Sequence, residues 1–224
     1  MWSSSKSIID GNPGQPACRL VSARGFSLVE MIVMLSVLSI LVGSMVPVVW
    51  DSVATAREIR AKNDVTQIAA ALVNFQRDLG VGGFVRSGRA WRSDLAARDL
   101  ASLLVSRGDA LRAQNPSAAG WMDMGGDQME DHLHFNLRAY PLSRAGLGVA
   151  WRGPYLSSEL GADPWGSRYM VNSWCLVPAA QRGAASDCAV FVISGGPNRS
   201  IETPFEQPVV YARVLGDDIA VRIQ

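Results

Sequence analysis

Between Phe26 and Val49 the chain carries one ionisable side chain, Glu30, in the run GFSLVEMIVMLSVLSILVGSMVPVVW from Gly25 to Trp50. As a helix, Phe26 to Trp50 would extend about 37 Å, enough to cross a bilayer core of about 30 Å. The residues before the run are polar and Ser-rich, with Lys6, Arg19 and Arg24 against the single acid Asp10. The positive-inside rule then puts residues 1–24 in the cytoplasm and everything after Trp50 outside. Over the whole chain 21 Lys and Arg balance 20 Asp and Glu, so no net charge points to nucleic acid or to an acidic partner. At 224 residues the chain has room for one ordinary domain and an appendage.

Three readings of the run compete. A secretory signal peptide would use the A-x-A site Ala54-Thr55-Ala56, but the run exceeds the roughly 7–15 residues of an h-region and holds an acid. A plain single-span anchor explains the length and leaves Glu30 unexplained, because a carboxylate near hydrocarbon is costly. The third reading accounts for both. Gly25-Phe26-Ser27-Leu28-Val29-Glu30-Met31 resembles the prepilin cleavage and methylation motif of type IV pilins and type II secretion pseudopilins. The resemblance implies that a membrane aspartic peptidase cuts after Gly25 and that the new amine on Phe26 is methylated. Glu30 then falls at the family's fifth mature position, where its carboxylate pairs with the amino terminus of a neighbouring subunit. Each charge is expensive alone in the membrane, and pairing offsets much of that cost. Pro47 matches the family's proline at mature position 22, where a kink or loosening is expected.

After Trp50 the pattern becomes amphipathic. Val65, Ile68, Ala69, Leu72, Phe75 or Gln76, and Leu79 follow helical spacing, and Gly80, Gly82 and Gly83 end it. A helix from Phe26 to Leu79 is predicted, with its second part laying one face on a domain. Farther on, Ser93 followed by DLAARDLASLLVSRG reads as a capped helix with Leu95, Leu100, Leu103 and Leu104 inward. Asp127 to Ala139 reads as another short helix. Its Asp127, Glu130, Asp131, His132 and His134 read as a solvated acidic face, since the two histidines point apart on a helix. Strands are predicted over Tyr169–Trp174, Ala189–Ser194, Val209–Val214 and Ile219–Ile223.

The string WRGPYLSSELGADPWGSRYMVN, from Trp151 to Asn172, resembles the corresponding stretch of the G-type major pseudopilin of type II secretion. The implied fold class is α+β and pilin-like, a long N-terminal helix packed on a small C-terminal antiparallel β-sheet. The implied organisation is a cleaved leader 1–25, a membrane and assembly helix 26–50, its amphipathic continuation 51–79, a helical and loop insertion 80–150, and a β-rich region 151–224. That insertion is the main departure from the G-type pattern and puts a major-subunit role in question. The same family binds calcium in a C-terminal loop, through aspartates and backbone carbonyls. Asp217 and Asp218 stand where that family has acids, its first aspartate appears here as Asn198, and Glu202 is a substitute carboxylate. The plain alternative is a turn in which Asp217 and Asp218 support a Gly-led hairpin. Calcium is therefore a candidate cofactor, on oxygen ligands from separated points of the chain.

Of three cysteines, Cys18 precedes the run, so export of the remainder leaves Cys175 and Cys188 as an even pair. A disulfide suits an oxidising compartment, two free thiols a reducing one. No G-x-S-x-G, P-loop, dinucleotide fingerprint or zinc spacing occurs, and the expected role is assembly without catalysis. The resemblance implies a pseudopilin subunit of a type II secretion system. Its partners would be other pseudopilins, the prepilin peptidase and the inner-membrane assembly platform, with no nucleic acid. The alternatives are a minor pilin of a type IV pilus, serving adhesion, motility or DNA uptake, and a membrane-anchored enzyme using the 84–150 insertion. For DNA, Arg86, Arg89 and Arg92 near Trp91 are the one basic candidate.

Overall fold

The computed structural model describes residues 25–80, 83–92, 94–123, 125–142 and 150–223. The leader to Arg24, with Cys18, and the helix cap at Ser93 lie outside the described residues. The chain divides into two compact units between Val48 and Val49. Helix α1, Leu28–Leu79, contributes to both and runs through Pro47 as one helix.

In the first unit the α1 side chains described are exposed. The serines inside the apolar run are satisfied by the helix itself. Ser36 Oγ donates to the Val33 carbonyl at 2.8 Å, Ser39 Oγ to Leu35 at 2.8 Å and Ser44 Oγ to Leu41 at 2.9 Å. Their hydroxyls therefore add little to the cost of placing this surface in hydrocarbon.

In the second unit α1 buries one stripe, Ala61, Val65, Ile68, Ala69, Leu72 and Phe75, at the predicted helical spacing. Gly80 closes the helix in the left-handed region, φ 77°, its N–H donating to the Gln76 carbonyl at 2.8 Å. The stripe meets a five-stranded sheet. Its strands are β1 (Leu103–Val105), β3 (Gly126–Gln128), β4 (Met170–Val171), β5 (Phe191–Ser194) and β7 (Ile219–Arg222), in the order β3-β1-β4-β5-β7. Two shorter strands, β2 (Arg112–Ala113) and β6 (Ser200–Ile201), pair separately.

Side chains alternate cleanly between two cores. Leu104, Tyr169, Val171, Val190, Val192 and Ile219 face α1 and its neighbours. Leu103, Val105, Met170, Phe191 and Ile193 face Leu111, Trp121, Ile201 and Phe205. The sheet is thus covered on both sides, and β1 and β5 are buried at every residue.

Three expectations are corrected here. The sheet is mixed, because β1 pairs parallel with β3 while its other ladders are antiparallel. Both strands of the parallel pair come from the 80–150 segment, which was expected to be helix and loop. Leu100, Leu103 and Leu104 are buried as predicted, but after a 3-10 turn at Ala97–Asp99 the chain enters β1. Short α2 (Gly120–Asp123) and α3 (Met129–Leu133) are the α-helices of this segment among the described residues. Likewise Val209–Val214 is not a strand: Val209–Tyr211 is a 3-10 turn behind Pro208. The Gln207 side chain accepts from Arg213 N–H at 3.0 Å and donates to the Arg213 carbonyl at 2.9 Å, occupying groups that a ladder would need.

Cys175 and Cys188 form a disulfide across the long β4–β5 connection, near the short helix α4 (Ala179–Arg182). Beside it Asn172 is fully buried and joins three segments. Its Nδ2 donates to the Ala189 and Phe205 carbonyls at 2.9 and 2.7 Å, and its Oδ1 accepts from Phe191 N–H at 2.7 Å.

Candidate functional site

The sequence points to two places, the start of α1 and the C-terminal acidic loop. At the first, Gly25, Phe26 and Glu30 are all exposed. Ser27 caps the helix: its Oγ accepts from Glu30 N–H at 3.4 Å and its carbonyl accepts from Met31 N–H at 3.1 Å. Ser27-Leu28-Val29-Glu30 is also the S-x-x-E pattern of a capping box, a signal of this helix start that the sequence carries. Glu30 therefore stands in the first turn, where a carboxylate is favoured by the helix dipole. The geometry leaves its carboxylate uncovered, available to a positive group from another molecule. The helix that follows is the one element among the described residues long and apolar enough to cross a membrane.

At the second place the structure brings together all four residues singled out from sequence. Asn198 Nδ2 donates to Glu202 Oε1 at 2.9 Å and, by a shorter bond, to Asp217 Oδ1. Asn198 N–H donates to Asp217 Oδ2 at 3.2 Å, and Asp217 N–H to Glu202 Oε2 at 3.3 Å. Asp218 faces the other way along the loop, its Oδ2 accepting from Glu202 N–H at 3.0 Å and Thr203 N–H at 2.8 Å. Its Oδ1 is buried with no hydrogen-bond partner, and burial pushes its carboxyl above the ordinary range. Gly196 and Gly216, at φ 60° and 64°, bring the two loop segments together; a Cβ on either would overlap Asp217 or Glu202. Arg199 turns out of the loop to Asp109 at 2.6 Å.

This donor set does not fit calcium as it stands. The ion takes six to eight oxygens, yet what lies between the Glu202 and Asp217 carboxylates is the Asn198 NH2 group. The Asn198 oxygen is already committed, accepting from Ser200 N–H at 2.7 Å. Among the described residues no group of three or more His, Cys, Asp or Glu side chains is placed to hold a metal.

The cluster at 127–134 differs from its expected role as a solvated face. Asp127, Glu130 and His132 are buried, and Asp131 pairs with Arg138 at 2.9 Å. Val85 N–H donates to Tyr140 Oη at 3.0 Å, and the same hydroxyl is hydrogen-bonded to His132 Nδ1, 2.8 Å away. His132 Nε2 has no hydrogen-bond partner. Burial, and secondarily Arg138, pulls the His132 pKa down to about 3. The imidazole is fully enclosed and holds α3 to the Tyr140 segment. Of the basic candidates, Arg89 pairs with Asp99 at 3.5 Å and Arg92 with Asp94 at 2.7 Å, so both are partly neutralised.

No protein-family model matches the chain, and no curated protein or solved structure matches it.

Proposed function

We propose that the chain is a pilin-like subunit that is anchored and assembled through the first part of α1, and specifically a pseudopilin of a type II secretion system. The observation that carries this reading is the helix start. A Ser27-capped terminus presents Glu30 in its first turn, and the apolar surface behind it is exposed through Val46. A surface of this kind is stable in lipid or against copies of itself. On this reading a membrane peptidase cuts after Gly25, Phe26 is methylated, and Glu30 pairs with the amine of a neighbouring subunit. The unit from Val49 onward then faces the periplasm. Partners are other pseudopilins, the peptidase and the inner-membrane assembly platform, and the chain needs no catalytic residue of its own.

The test joins mass spectrometry of the mature N-terminus with cross-linking of subunits in membranes. A methylated Phe26 terminus is expected, lost in Gly25→Val. Glu30→Ala should be cut and yet fail to cross-link into multimers. A terminus after Ala56 would return the chain to the signal-peptide reading, and an uncut chain to the plain anchor. In a deletion strain, loss of exoprotein secretion supports a pseudopilin, while loss of surface pili with secretion intact assigns a pilus subunit.

A further inference from the structure

We infer that the acidic loop is closed by the Asn198 amide in place of a cation, which makes it a calcium-independent clasp. The inference stands on the loop geometry and does not depend on filament assembly. Two carboxylates from separate segments, Glu202 and Asp217, converge on one nitrogen, Asn198 Nδ2. An amide has one donor end and one acceptor end, and here the acceptor end is fixed independently. Ser200 N–H can only donate, and it reaches Asn198 Oδ1 at 2.7 Å. Turning the amide over would set its NH2 against the Ser200 N–H and its oxygen against two carboxylates. The donor end is therefore locked between the acids, occupying the position from which an ion would neutralise them.

Backbone N–H groups complete the arrangement. Asn198 and Asp217 supply one each to the opposite carboxylate, and Glu202 and Thr203 supply two to Asp218. Each carboxylate oxygen of the loop except Asp218 Oδ1 thus has an N–H donor. The Glu202 and Asp217 oxygens are therefore satisfied by N–H donors without a metal. Gly196 and Gly216 make the close approach sterically allowed, so the clasp is built into the backbone as well as the side chains.

The proposal predicts that one substitution converts the clasp into a cation site. Asn198→Asp removes the bridging donor and adds a carboxylate opposite Glu202 and Asp217, so like charges repel until a divalent ion joins them. The experiment is thermal unfolding of the full chain in detergent, followed by tryptophan fluorescence, in chelator and in millimolar calcium. Equilibrium dialysis against calcium is run alongside. For the unsubstituted chain, an unmoved midpoint and no stoichiometric calcium bound are expected. N198D should melt lower in chelator and recover with calcium while binding one equivalent; N198A should melt lower and ignore calcium. A midpoint of the unsubstituted chain that rises by several degrees with calcium overturns the clasp, as does an N198D protein that in chelator is as stable as the original. If N198D fails to fold, the unsubstituted chain's response to calcium decides alone.

Discussion

Removing one oxygen atom, by Tyr169→Phe, tests how α1 is held on the sheet. Tyr169 is 1% exposed, and its hydroxyl donates to Asp64 Oδ2 at 2.7 Å. Burial, with Asp64 as a further cause, pushes the hydroxyl pKa up, so the group remains a donor at any working pH. A hydrogen bond to a charged group is worth about 1.5–3 kcal/mol. The lower end applies here, because the Asp64 side chain is 27% exposed and keeps Arg60 at 3.6 Å when the hydroxyl is gone. The expected loss is about 1.5–2 kcal/mol, which for a unit of this size lowers the melting midpoint by about 5 °C. The assay is thermal unfolding of the full chain in detergent, with Asp64→Ala and the double variant completing a cycle. Coupling of roughly 1 kcal/mol between the two sites is expected. A Y169F protein within about 0.5 kcal/mol of the original, or strict additivity in the cycle, would refute the view that this bond fixes the helix.

Replacing both Cys175 and Cys188 by Ala should cost about 3 kcal/mol by restoring chain entropy to the unfolded state; equal stability with and without reductant would count against the bridge. For His132 the folded pKa, about 3, lies below the ordinary 6.5, so the unfolded chain binds its proton first and stability falls as pH drops below 6.5. Between pH 7.5 and 5.5 this amounts to about 1.4 kcal/mol. The raised carboxyls of Asp127 and Glu130 act in the opposite direction at lower pH, since they protonate more readily in the folded chain. Comparison with His132→Asn, whose amide can either accept from or donate to Tyr140 Oη, isolates the imidazole. The stability gap between the two proteins should narrow on acidification by that amount, and a constant gap would remove His132 as the cause.

The parts of the fold legible in the sequence are those with one buried side. The stripe Val65, Ile68, Leu72 and Phe75, and the stop at Gly80, stand where periodicity placed them because α1 packs on one face only. Leu103-Leu104-Val105 is illegible as a strand for the opposite reason. Both faces of β1 are covered, so no polar alternation marks it as a strand, and nearby leucines at helical spacing offered a competing pattern. Asp127, Glu130 and His132 were read as solvated because charge alone cannot reveal that β1, Tyr140 and Arg138 enclose them. The role of Asn172 is not legible locally, since three of its side-chain bonds reach residues 17 to 33 positions away. At the acidic loop the resemblance pointed to Asn198, Asp217 and Asp218, with Glu202 as a substitute carboxylate, but it could not show which end of the Asn198 amide faces the acids. That follows from Ser200 N–H, whose direction the backbone sets.

The string from Trp151 to Asn172 acquires a physical meaning from its contacts. Tyr155 Oη donates to Asp78 Oδ2 at 3.1 Å, and Tyr169 Oη to Asp64. Asp64 and Asp78 lie on related faces of α1, about 21 Å apart along its axis. An apolar stripe by itself tolerates small rotations and slides of a helix, because dispersion and burial are nearly non-directional. Two hydrogen bonds at separated turns remove both freedoms. The intervening Asp163 anchors the segment to the sheet, its Oδ1 accepting from Trp165 and Ser167 N–H and its Oδ2 from Ser194 Oγ at 2.6 Å. Through these bonds the segment from Tyr155 to Tyr169 ties this part of α1 to β5 in one fixed register.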